Sequence, residues 1–148
     1  MNLEEKINND IKKAMLAKEK DKLNALRAIK SELLLLKTAK NPDEINDELE
    51  IKTLQRLIKQ RKEAAETYKN QNRDDLYQEE MFQVNVISTY LPAQLSEEEV
   101  TRILKEFIEK ENITDIKGMG KIMGLATKTL AGKAENKLIS EIIKKLLQ

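Results

Sequence analysis

The sequence predicts an all-α protein of about seven helices, arranged as two helical subdomains over residues 1–92 and 93–148. Three observations predict it. Hydrophobic residues make up 40% of the 148 and charged residues 36%, but aromatics only 3%, a balance that suits helices and does not suit a sandwich or barrel. Two prolines and four glycines leave too few turns for many short strands. Apolar residues recur at helical spacing along most of the chain.

Leu3, Ile7, Ile11, Ala14 and Met15 keep that spacing, and the polar stretch Lys18–Lys20 predicts a turn with Asp21 as N-cap of a second helix. The second helix is expected to reach about Lys40. Its run Leu33-Leu34-Leu35-Leu36 wraps more than one face, which predicts burial against neighbours on two sides. Asn41-Pro42-Asp43 closes it and opens a long third helix, because proline fits a first turn and cannot continue a helix interior. That helix should run to about Tyr68 and bury Ile45, Leu49, Leu54, Leu57, Ile58, Ala65 and Tyr68. Asn70–Arg73 interrupts the pattern, and Asp74 is placed to cap a fourth helix carrying Leu76, Tyr77, Met81, Val84 and Ile87 inward. Tyr90-Leu91-Pro92 ends it, since the residue before a proline is pushed out of helical space. The subdomain boundary falls there.

Ser96-Glu97-Glu98-Glu99 reads as a capping box, serine at N-cap with glutamate at N3 and acidic residues on the positive end of the helix dipole. Three adjacent carboxylates at a helix start point in different directions, so capping explains them better than metal binding. The fifth helix should follow to about Glu111. A sixth, bearing the glycines, is expected to end at Gly132 as its C′ residue. A seventh, from about Glu135 to Leu147, turns Leu138, Ile142, Ile143 and Leu146 inward and Lys137, Glu141 and Lys144 outward.

The chain contains neither cysteine nor histidine. Disulfides, thiolate nucleophiles, structural zinc and the usual near-neutral general base are therefore excluded, and no catalytic residue, metal or cofactor is assigned. An enzyme would have to work with Asp, Glu, Lys, Ser or Tyr alone. Gly118-x-Gly120-x-x-x-Gly124 has its third glycine one place too late for a dinucleotide fingerprint and lacks a preceding strand. Gly132-Lys133 is followed by Ala134, which rules out a phosphate-binding P-loop. The basic run Lys59-Gln60-Arg61-Lys62 is followed within a turn by Glu63 and Glu66, so it reads as a solvated helix face. A charged start and the lack of any apolar run near the roughly 20 residues that span a bilayer predict no signal peptide and no membrane partner. A cytoplasmic protein is expected.

All four glycines lie between Gly118 and Gly132, in KGMGKIMGLATKTLAGKAENK. On a helical projection Met119, Ile122, Met123, Ala126 and Leu130 gather on one side, while Lys117, Gly120, Lys121, Gly124 and Lys128 form a narrow outward stripe. Each interior helix glycine costs roughly 0.5–1 kcal/mol relative to alanine, and an outward one recovers nothing from the core. The local charge matches. Residues 117–148 hold seven lysines against two glutamates, a balance of +5 hidden within a net charge of +1. Two readings stay open: another helix of the same chain approaches the glycines closely, or a phosphate backbone does, with Lys117, Lys121, Lys128 and Lys133 supplying charge.

The stretch MGKIMGLATKTLAGKAENKLISEIIKKLL resembles the GatB/YqeY tail domain, which YqeY proteins share with one component of the glutamine-dependent aspartyl/glutamyl-tRNA amidotransferase. Arg27 with Lys30, Lys59-Gln60-Arg61, Arg73-x-Asp75-Leu76 and Tyr90-Leu91-Pro92-x-Gln94-Leu95-Ser96 extend the resemblance to stand-alone YqeY proteins across nearly the whole chain. It implies an all-helical, two-part protein with a C-terminal three-helix tail, related to carbon–nitrogen ligation with glutamine as amide donor but without the machinery for it. In the amidotransferase this tail engages tRNA. By position the motif residues are Gly120, Lys121, Gly124, Gly132, Lys133 and Ala134, while Gly118 and Glu135 depart from the usual pattern at helix-capping places. The expected partner is tRNA, held by Lys117, Gly120, Lys121, Gly124, Lys128, Gly132, Lys133 and Lys137. The competing expectation is a helix-binding adaptor that docks on an amidotransferase or aminoacyl-tRNA synthetase without touching RNA.

Overall fold

The computed structural model describes residues 2–148, and of Pro42 only the backbone. Seven α-helices and two short 3-10 turns make up the regular structure of the described residues, with no strand. They divide into two compact units, Met1–Leu91 and Pro92–Gln148.

The first unit contains α1 (Leu3–Leu16), α2 (Lys20–Ala39), α3 (Asp47–Asn70) and α4 (Asp74–Ser88). Each helix contributes one apolar stripe, and α4 packs on both α3 and α2, with α1 laid against α2. Ile7, Leu26, Ile29, Leu54 and Ile87 meet in the core and are essentially inaccessible. Polar ties fix the ends of the elements. The Tyr90 hydroxyl donates to the Asp10 carboxylate, pinning the end of α4 to α1. Burial, reinforced by that carboxylate, pushes the Tyr90 hydroxyl well above the usual tyrosine range.

The second unit contains α5 (Glu97–Lys110), α6 (Met119–Thr129) and α7 (Asn136–Leu147), each packed on the other two. Val100, Leu104, Ile122, Ala126, Leu130, Ile139 and Ile143 form its core. The expected capping box is present, with Ser96 Oγ accepting from Glu99 N at 3.2 Å while Glu99 Oε1 accepts from Ser96 N at 3.4 Å.

Several local expectations are corrected. Asp21 and Asp74 are not N-caps. Glu19 and Arg73 occupy those places, without side-chain capping bonds, and each aspartate sits in the first turn. The third helix does not start at Pro42, which instead opens a 3-10 turn ending at Glu44, and Asn46 caps α3 by accepting from Leu49 N at 2.9 Å. The leucine run is not buried on two sides: Leu33 is 6% exposed, but Leu34 and Leu35 are 48% and 59% exposed. Arg61 does not lie on a solvated face, since its Nε donates to Gln83 Oε1 at 2.7 Å across the α3–α4 pair.

The helix ends share one device. After α1, α3 and α5 a single residue takes a left-handed conformation, Lys18, Asn72 and Asn112 in turn, each with φ between 55° and 60°. The next backbone N–H then reaches back to the last turn, as in Glu19 N to Ala14 O, Arg73 N to Tyr68 O and Ile113 N to Ile108 O. These six-to-one bonds satisfy carbonyls that the helix leaves open.

Candidate functional site

The candidate site is built on α6, whose inner side carries Ile122 and Ala126 into the core while Met119 and Met123 are partly covered. Its opposite side is open. Gly120, Lys121, Gly124 and Lys128 are exposed there, and Lys117 is exposed in the 3-10 turn Ile116–Gly118 that precedes the helix. A methyl group added at Gly120 or Gly124 would meet no heavy atom within 4 Å. Helix packing within the unit therefore does not explain these two glycines. From Gly120 to Lys128 the open side runs about 12 Å, at roughly 1.5 Å per residue.

Gly118 and Gly132 have different explanations. A Cβ on Gly118 would lie 2.3 Å from Ile113 Cγ2 and 2.9 Å from its Cδ1, so the position is close-packed. Gly118→Ala is expected to lower stability by about 1–3 kcal/mol through overpacking, read as a lower melting midpoint. An unchanged melt would contradict this account. Gly132 is not the C′ residue of α6, which ends at Thr129 with Leu130 as C-cap. It takes φ 74° two residues later, in the turn leading to α7. There it is buried, and its carbonyl accepts a hydrogen bond from Gln94 Nε2. Leu95 N donates to Lys133 O at 2.9 Å, which lays the segment before α5 along this turn. Ala134 is 4% exposed and belongs to the core. Gly132 and Ala134 thus serve the fold, whereas Lys133 and Lys137 are exposed on the turn and on the first turn of α7.

The same test accounts for other motif residues. Arg73 clasps Asp75 with two parallel bonds, Nε to Oδ1 at 3.2 Å and Nη2 to Oδ2 at 3.0 Å, across the start of α4. Leu91 packs on the first core, Gln94 and Leu95 tie down the turn, and Ser96 caps α5. Gly118 and Glu135, at the N-caps of α6 and α7, make no side-chain capping bond. Of the motif positions from Gly120 to Ala134, Gly120, Lys121, Gly124 and Lys133 are exposed, the first three on the outer side of α6.

Sequence reasoning missed one member of the site. Lys121 Nζ lies 2.8 Å from Glu111 Oε2, at the C-cap of α5. The hydrogen bond and charge of Lys121 hold the Glu111 carboxyl below the usual glutamate range. No helical periodicity links the two residues, because a helix end and a turn intervene.

Comparison with known proteins finds relatives along most of the chain. A protein named altered inheritance of mitochondria protein 41, mitochondrial, from Pyrenophora tritici-repentis is 28% identical over 142 residues, covering 94% of this chain and 75% of that protein. A protein of the same name from Meyerozyma guilliermondii is 36% identical over 86 residues, covering 57% of this chain and 44% of that protein. No described helix is long and apolar enough to cross a membrane. The YqeY-like protein family matches over residues 4–147, nearly the whole length, and the chain belongs to that family.

Proposed function

We propose that this protein is a tRNA-binding accessory protein, related to the glutamine-dependent tRNA amidotransferase, with no complete catalytic site of its own. The observation that supports the reading best is the pair of helix glycines facing open space beside lysines on the same side of α6. A helix wall without Cβ atoms lets a phosphate–sugar backbone approach closely, and Lys117, Lys128 and Lys133 supply cations around it. Shape and phosphate are what this surface reads. The only aromatic residue of the second unit, Phe107, packs against its core, which leaves no ring to stack unpaired bases. Transfer RNA is present in mitochondria, the compartment in the relatives' names, as well as in the cytoplasm.

Titration of total tRNA at two or more salt concentrations tests the proposal. With three lysines engaged, the logarithm of affinity should fall by about three units per tenfold rise in salt. Binding that barely responds to salt would favour the adaptor, in which the glycine wall receives a partner helix. Absence of binding at low salt would overturn the RNA reading.

A further inference from the structure

The ion pair at the start of α6 bears on how strongly the proposed surface can bind. Lys121 lies between Gly120 and the open side at Gly124, yet its ammonium group is not free: Glu111, projecting from the end of α5, holds it at 2.8 Å. The lysine side chain is 60% exposed and the glutamate 29% exposed, so an arriving anion can reach the lysine while the carboxylate stays beside it. A carboxylate and a phosphate cannot both take the same ammonium at full strength, and the pair presents no net charge to a polyanion. We propose that Glu111 is a built-in competitor for phosphate at Lys121, so that the surface engages RNA with one cation fewer than its sequence offers. The inference rests on the tRNA reading above. It deepens that reading by naming the residue that sets the affinity.

Two single substitutions separate this from a general field effect. Glu111→Gln keeps the side-chain shape and releases Lys121. Glu109→Gln removes the same charge from the same end of α5, at an exposed residue that is not Lys121's partner. For total tRNA near 0.1 M salt, Glu111→Gln should tighten binding by roughly three- to tenfold and steepen the salt dependence by about one unit. Glu109→Gln should change affinity less than about twofold, as expected for a screened surface charge. Circular dichroism and thermal melts serve to check that both variants fold. Equal effects of the two variants, or no effect of Glu111→Gln, would overturn competition. Weaker binding by Glu111→Gln would also overturn it and would make Glu111 a positioning residue for Lys121. If neither the native protein nor Glu111→Gln binds tRNA at low salt, the tRNA reading itself falls, and the competition proposal with it. Native binding with an unresponsive Glu111→Gln removes the competition alone.

Discussion

Ile143→Ala is expected to destabilise the unit Pro92–Gln148 by about 2–5 kcal/mol, enough to unfold much of it at physiological temperature. Ile143 is completely buried, at the meeting point of three helices whose other core members include Leu104, Ile122 and Ile139. Losing its branched side chain removes the transfer term and leaves a cavity that packed helices refill only in part. A unit this short starts with a small reserve, of the order of 3–5 kcal/mol for a single hydrophobic core. The two cores share no residue, so the loss should be local. Hydrogen exchange followed residue by residue should show protection collapsing over residues 92–148 and persisting in α2, α3 and α4. Unchanged protection after Ile143→Ala would show that something other than this core holds the unit together. Uniform loss along the chain would show that the two units unfold as one.

Helix content and the inner faces were legible in the sequence because they depend on periodicity, which a single chain displays directly. Leu54, Leu57, Ile58, Ala65, Val84 and Ile87 are buried where their spacing places them, and Ser96 with Glu99 forms the box their types predict. Helix ends were less legible. Lys18, Asn72 and Asn112 adopt a conformation usually given to glycine, and here the six-to-one backbone bonds outweigh the left-handed strain of roughly 1–2 kcal/mol at each residue. Aspartate is a strong capping type, which points to Asp21 and Asp74 as caps, but Glu19 and Arg73 hold those places and each aspartate falls inside the first turn. The leucine run misled because burial depends on how many neighbours a helix has, which its own sequence does not encode. Leu34 and Leu35 stay about half exposed.

At the candidate site, the outward direction of Gly120 and Gly124 follows from helix geometry and is visible in the sequence. The structural duties of Gly118, Gly132 and Ala134 are not, because they arise from tertiary partners: Ile113 against Gly118, Gln94 on the Gly132 carbonyl, and the helical core around Ala134. The Lys121–Glu111 pair was equally hidden, since it depends on the path of the chain between α5 and α6. A motif with several glycines therefore divides into two parts. One part builds the turn and the packing, and the other leaves a bare helix wall.

Whether RNA meets that bare wall is decided by the tRNA affinity of the Gly120→Ala, Gly124→Ala double variant, measured beside its thermal melt. In open space each alanine should stabilise the helix by up to about 1 kcal/mol, through better helix propensity and a less flexible unfolded chain. A higher melting midpoint is therefore expected even though binding suffers. If a phosphate–sugar backbone approaches the wall, two added methyl groups hold it off and weaken the lysine contacts on either side, so affinity should fall by roughly tenfold or more, about 1.4 kcal/mol or above. A more stable protein that binds tRNA less well is the predicted result. A more stable protein that binds tRNA as tightly as the native chain would contradict it, because the glycines would then have no part in contact with RNA.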